Sequence, residues 1–331
     1  MAVAPVSHPS SDLFAAAVPA GIDVLAVAKL SPLLVPQLAA RFTLHDRLHE
    51  TDPAALAPRI RAIAASGESK VSAALIAQLP ALEIISVMGV GYDGIDVEAA
   101  RARGVVVTHT PDVLNDDVAD LALGLMLCAA RQLPAADRHV RSGQWAASGP
   151  MPLARKLSGS RLGIVGMGRI GQAIAQRAAA FQMPIAYTAR SAKAGLPYEF
   201  VADVVALAAQ SDVLVVITPG GAGTRHLINA PVLAALGPRG ILVNVARGSV
   251  VDEAALIDAL EAGTLGGAAL DVFEAEPNVP ERLRALPQVV LAPHIGSATG
   301  QTRQAMADLA LANLVARFTG APLPTPVPEC R

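Results

Sequence analysis

Arg247, Glu276 and His294 bring together a guanidinium, a carboxylate and an imidazole, each just past an apolar run (ILVNVA, LDVFEA and VVLAP). When a carbonyl is reduced by hydride, its oxygen becomes an incipient alkoxide. That oxygen needs a proton donor working near neutral pH, and the substrate needs a fixed positive charge to hold it. An arginine fork suits a 2-keto acid, which carries a carboxylate beside its carbonyl. A glutamate beside the histidine orients the ring and favours the imidazolium, so a raised histidine pKa is expected. Residue types alone leave the acid open, because Asp271 and Glu274 compete with Glu276. His226, in TRHLI, has no acid following at motif spacing and reads as structural.

The pattern G-x-G-x-x-G occurs at Gly89, Gly91 and Gly94 (GVGYDG) and again at Gly166, Gly168 and Gly171 (GMGRIG). The second match follows RLGIV, opens the amphipathic stretch GQAIAQRAAAF and leads to PIAYTA. That is the strand–helix–strand context in which glycines let a pyrophosphate approach a helix N-terminus. Arg169 adds positive charge there. The first match has Asp93 inside it and Asp96 just after, and these would repel a pyrophosphate. Its backbone N–H groups suit a smaller anion, such as a substrate carboxylate. NAD sites carry an acid about 20 residues beyond the glycines. Here Arg190 stands at that place, with Ser191 and Lys193 close behind. Cations and a hydroxyl attract a 2′-phosphate, so NADPH is expected over NADH. The alternative is an Arg190 on a solvated loop and use of both cofactors.

Alternating apolar and Ala-rich segments must position these residues. Strands are expected at Ile22–Ala28, Leu82–Met88 and Val105–Thr110, with a helix over Pro53–Ala65. A long helix is expected from near Leu114 to Gln132, with Asn115, Asp116 and Asp117 at its start. From Arg161 six further strands follow: RLGIVGMG, MPIAYTAR, VLVVITP, GILVNVA, GGAALDVF and QVVLAPH. A final helix covers Thr302–Phe318, and the Pro-rich PLPTPVPEC beyond it reads as non-helical. Strands alternating with helices imply parallel α/β sheets in two units, with a break near Pro111.

NVARGSVVDEAAL, GGAALDVFEAEP and APHIGSAT, with GMGRIG upstream, resemble the D-2-hydroxyacid dehydrogenases over nearly the whole chain. ARSAK and VRSGQW bring the resemblance closest to NADPH-dependent glyoxylate/hydroxypyruvate reductases and plant hydroxyphenylpyruvate reductases. The resemblance implies that Arg247 binds the keto-acid carboxylate, Glu276 pairs with the histidine, and His294 is the acid/base. It implies substrate binding by Val90 and Gly91 through backbone N–H groups. For the cofactor it implies Gly166, Gly168, Arg169, Ile170, Gly171, Arg190, Ser191, Lys193, Thr218, Pro219, Val245, Ala246, Asp271 and Gly296. The implied fold is α/β with two doubly wound parallel-sheet domains. One is a Rossmann NAD(P)-binding domain over residues 113–298. The other is a smaller flavodoxin-like substrate domain over residues 1–112 plus 299–331. A homodimer formed through the cofactor domain is also implied, with Trp145 approaching the other subunit's site in related reductases. Corepressors of the same fold offer a non-catalytic alternative, binding NAD(H) and peptide partners, but they retain an acid where Arg190 stands. Formate dehydrogenases carry glutamine where Glu276 stands.

Composition narrows the classes further. The chain has 331 residues, 53% hydrophobic and 16% charged, which is too apolar for a disordered chain. A formal net charge of −2 and 3% aromatics give no attraction to nucleic acid and no stacking platform. The apolar stretch around Leu121–Ala130 is too short to span a bilayer, so no membrane partner is expected. Cys128, in a helix core, and Cys330 do not form a disulfide framework, and no signal peptide is read at the start. A cytoplasmic protein is expected. His45 and His49 lack a third ligand, so no metal is expected.

Overall fold

The computed structural model describes residues 17–46 and 53–331. The chain divides into two compact units, one of Met1–Leu114 with Thr299–Arg331 and one of Asn115–Ala298.

The first unit is built on five parallel strands: β1 (Asp23–Ala26), β2 (Thr43–Asp46), β3 (Ile60–Ser66), β4 (Ile84–Met88) and β5 (Val106–Thr108). Their order, β2-β1-β3-β4-β5, is flavodoxin-like. Two expectations are corrected here. The helix expected over Pro53–Ala65 is only Pro53–Leu56 with a 3₁₀ turn at Ala57–Arg59, and the rest becomes the central strand β3. Alanine favours a helix by a few tenths of a kcal/mol per residue. That preference is outweighed because Ile60, Ala62, Ile63, Ala64 and Ala65 are all buried, with β1 and β4 paired on either side. The edge strand β2 was not expected either, since its half-exposed residues break the apolar pattern. It carries His45, whose Nε2 lies 2.6 Å from Oδ1 of Asp23. His49 lies outside the described residues.

Helix Gly300–Thr319 packs on β4 in this unit. The Ser86 hydroxyl donates to the Ala310 carbonyl at 2.9 Å, and Arg317 pairs with Glu83 at 3.1 Å. The Pro-rich segment beyond it bridges to β5 at Pro326 and then forms one 3₁₀ turn, Pro328–Cys330. That turn corrects the non-helical expectation: proline at the first position of a turn has no N–H to lose.

The second unit has seven parallel strands: β6 (Leu162–Val165), β7 (Ile185–Thr188), β8 (Glu199–Phe200), β9 (Val213–Val216), β10 (Ile241–Asn244), β11 (Gly267–Leu270) and β12 (Val289–Leu291). They run in the order β12-β11-β10-β9-β6-β7-β8. Six were expected; β8, only two residues long, was missed because no periodicity shows over such a length. The order reverses at β6, between β7 and β9, and ligands of doubly wound sheets bind at such a switch point. Helix Asn115–Arg131 has Asp116 and Asp117 in its first turn and Arg131 in its last, matching its dipole. It buries Val118, Ala119, Ala122, Leu123, Leu125, Met126 and Ala130. Cys128 is half-buried rather than core, because it lies at the edge of that face. Among the described residues, no single helix is long and apolar enough to cross a membrane.

Candidate active site

Three adjacent parallel strands, β10, β11 and β12, bring the loops carrying Arg247, Glu276 and His294 to one edge of the seven-stranded sheet. Nδ1 of His294 lies 2.8 Å from Oε2 of Glu276, while Oε1 accepts the Phe273 N–H at 2.9 Å. A carboxylate partner means that Nδ1 carries a proton, so proton exchange falls to Nε2. Burial disfavours the Glu276 charge. It is outweighed by the hydrogen bonds from His294 and Phe273 and by the charges of His294 and Arg247, which hold the carboxyl below its ordinary pKa. Arg247 is half-buried, with Nη1 donating to the Ala246 carbonyl at 2.8 Å.

The three acids have different surroundings. Asp271 is 2% exposed, and its two oxygens accept the Ile295 N–H at 2.7 Å and the Gly296 N–H at 2.8 Å. Burial raises its pKa, despite those amides. Its carbonyl accepts the His294 N–H at 2.8 Å, so Asp271 shapes the turn that presents His294 in a left-handed conformation (φ 52°). Glu274 pairs with Nε2 of His226, and its N–H donates to Glu253 at 3.3 Å. Local spacing missed the partner of His226, which is 48 residues away. Sequence reading also missed the role of Gly248. A Cβ there would fall 1.9 Å from the Phe273 carbonyl carbon, so the loops of Arg247 and Glu276 touch backbone to backbone. The glycine after Arg247 in the motif was the available signal.

The loop after β6 fits a dinucleotide. Gly166 has φ 106°, and a Cβ there would fall 2.7 Å from the Ile217 carbonyl oxygen, on the segment leading to Thr218 and Pro219. A Cβ on Gly171 would fall 2.2 Å from the Gly166 oxygen, so helix Arg169–Ala180 sits tightly against the turn. At Gly168 a Cβ would meet only open space, and no side chain caps the helix there. Arg169 and Ile170 open this helix, and its N-terminal N–H groups can take an anion. Arg190, Ser191 and Lys193 are exposed in the loop after β7, anchored where the Lys193 N–H donates to the buried Tyr187 hydroxyl at 2.7 Å. Val245 and Ala246 are buried past β10, and Gly296 lies against Asp271.

Val90 and Gly91 belong to the first unit. A Cβ on Gly89 would fall 2.9 Å from Cα of Gly67, and one on Gly94 would fall 2.2 Å from the Ser69 oxygen. These glycines therefore serve close packing. The helix that follows, Val97–Ala102, is capped by the Asp96 carboxylate, which occupies the place a phosphate would take.

Known proteins resemble this chain at each level. The model for the NAD-binding domain of D-isomer-specific 2-hydroxyacid dehydrogenases matches residues 123–296. A hydroxyphenylpyruvate reductase of Plectranthus scutellarioides is 49% identical, covering 92% of this chain and 99% of its own. A glyoxylate/hydroxypyruvate reductase A of Arabidopsis thaliana is 48% identical, with the same coverage of both chains. The crystal structure of an NADPH-dependent glyoxylate/hydroxypyruvate reductase from Sinorhizobium meliloti, in complex with NADP and malonate, superposes with a TM-score of 0.88. It is 46% identical and covers 93% of this chain and 97% of its own. With this fold, these motifs and these relatives, the chain belongs to the D-isomer-specific 2-hydroxyacid dehydrogenase family.

Proposed function

We propose that this protein reduces small 2-keto acids, glyoxylate and hydroxypyruvate foremost, to D-2-hydroxy acids with NADPH. The observation that carries this reading is the Glu276–His294 pair at 2.8 Å, with Arg247 among the charges acting on it. A bound nicotinamide supplies the hydride. Arg247 holds the substrate carboxylate and polarises the carbonyl. His294 donates its Nε2 proton to the developing alkoxide, and the ionised Glu276 stabilises the imidazolium before transfer. Val90 and Gly91 offer backbone N–H groups to the carboxylate. In this reading Asn115–Ala298 is the NAD(P)-binding domain, and Met1–Leu114 with Thr299–Arg331 is the substrate domain. Arg190, Ser191 and Lys193 select the 2′-phosphate.

The reading includes a cytoplasmic homodimer joined through the cofactor domain. Two free cysteines and the exposed Leu133, Val140, Trp145 and Leu153 support it. The name and 49% identity of the Plectranthus relative favour hydroxyphenylpyruvate as a second substrate class. The test is initial rates with hydroxypyruvate, glyoxylate and 4-hydroxyphenylpyruvate, each with NADPH and NADH at equal concentration. Fast NADPH oxidation with hydroxypyruvate is expected. Dominant NADH use would overturn the cofactor assignment, and no turnover with any of the three would overturn the substrate assignment.

A further inference from the structure

His109 has no part in the chemistry above, yet it is 7% exposed and aimed at the loop proposed to hold the substrate carboxylate. Its Nδ1 lies 3.0 Å from the Val90 carbonyl oxygen. A carbonyl only accepts, so Nδ1 carries the proton. The Val90–Gly91 peptide is planar, and across a trans peptide the C=O and the following N–H point opposite ways. Holding the Val90 carbonyl toward His109 therefore turns the Gly91 N–H away from it. The Gly89 carbonyl just before is held as well, accepting the Thr110 N–H at 2.8 Å.

The imidazole is itself braced. The Tyr92 ring stands edge-on to it, with centroids 5.3 Å apart and planes at 88°. The Tyr92 hydroxyl donates to Glu329 at 3.0 Å. Burial first, then Glu329, pushes the Tyr92 pKa up to about 12, so the hydroxyl keeps its proton at working pH. The carbonyl of His109 accepts the Thr325 hydroxyl at 2.6 Å, and Asn313 donates to Thr325 at 2.8 Å. Helix Gly300–Thr319 and the segment after it thus reach the loop through two separate contacts.

We propose that His109, braced by Tyr92 and Glu329, is a positioning residue that fixes the Val90–Gly91 peptide so that its N–H is presented to the substrate carboxylate. The proposal rests on the reading of Val90 and Gly91 as carboxylate binders. Without the histidine proton, the peptide can rotate, and a hydrogen bond to a charged group is lost in ground and transition states alike. Such a loss raises KM and leaves kcat in place. Asparagine puts an N–H where Nδ1 stands, whereas glutamine puts one nearer Nε2.

The test is steady-state kinetics of the full chain with glyoxylate at saturating NADPH, on His109→Leu, His109→Asn, His109→Gln and Tyr92→Phe. Expected for His109→Leu and His109→Gln is a KM for glyoxylate raised about tenfold or more. Their kcat should stay within about twofold and their KM for NADPH should not change. His109→Asn should return KM to within about threefold of the parent, and Tyr92→Phe should raise it by about threefold. An Asn variant no better than Gln, or losses that fall on kcat, would overturn the proposal. If His109→Leu does not fold, the Asn–Gln contrast decides alone. If all three His109 variants fail to fold, an unchanged KM in Tyr92→Phe overturns the braced arrangement. Gly91→Pro, which removes the N–H itself, separates the two levels. An unchanged KM there refutes the carboxylate-loop reading. A raised KM there, with His109→Leu unaffected, refutes only the role of His109.

Discussion

At the scale of single residues, the pairing of Glu276 with His294 makes specific demands on kinetics. His294→Ala is expected to cut kcat by about a thousandfold while leaving NADPH affinity within about twofold, as read by fluorescence titration. An equal loss of NADPH binding would refute the acid/base role. Glu276 is ionised throughout the neutral range because its folded pKa is depressed. Reduction needs a protonated histidine, which the neighbouring carboxylate favours. Glu276→Gln should therefore move the alkaline fall of kcat/KM to lower pH by about one unit or more. The same depression has a stability sign. A carboxyl with a lowered folded pKa stabilises the fold above its unfolded pKa, and that contribution fades as pH falls through the folded value. Thermal melts from pH 6 downward should show the parent losing more stability than Glu276→Gln. Arg190→Ala should raise KM for NADPH about tenfold or more and leave NADH nearly unchanged. Equal effects on the two would sink the 2′-phosphate assignment.

At the scale of elements, two glycines of similar motif standing have opposite surroundings. Gly248 has backbone where its Cβ would go, whereas Gly168 has open space. Gly248→Ala must push the Arg247 loop off the Phe273–Glu274 backbone. A stability loss of about 1–3 kcal/mol is expected, with a fall in kcat/KM of tenfold or more. Gly168→Ala should leave the melting temperature nearly unchanged and raise KM for NADPH, because the added methyl stands where, in the proposed function, the pyrophosphate approaches the backbone. Melting curves with cofactor kinetics on both variants check the contrast. A melting temperature lowered equally in both would show that Gly168 is also a packing residue.

At the scale of the whole molecule, the apolar side chains left in water between Leu133 and Leu153 bear on assembly. Leu133, Val140 and Trp145 lie on two successive helices, Leu133–Arg141 and Gln144–Ser148. Trp145 is 61% exposed and Leu153 fully so. Exposed apolar groups clustered along one segment are a signature of an interaction face. Light scattering on the eluting protein should give twice the 33.8 kDa chain mass, and Val140→Asp should shift it toward one chain. A monomeric parent would remove the dimer from the proposed function.

Much of this protein is determined by local sequence. Apolar runs too continuous for an amphipathic strand read as parallel strands, most of them buried and β12 at the sheet edge partly exposed, and GMGRIG between such a run and an amphipathic stretch reads as a turn into a helix. The order of Arg247, Glu276 and His294 past three such runs placed them at strand ends, because successive parallel strands all point the same way. Other features are set by contacts distant in sequence. Ile60–Ser66 is alanine-rich and weakly helical by itself; burial between β1 and β4 makes it a strand. Asp271, Glu274 and Glu276 are equivalent candidates in one loop. Only the arrival of His226 from beyond β9 and the turn after β12 assigns each its partner. His109 reads as an unremarkable residue past a strand until Val90, Tyr92 and the chain beyond residue 320 converge on it. Propensity and periodicity act over a few residues, whereas hydrogen-bond partners are chosen by how strands and loops pack.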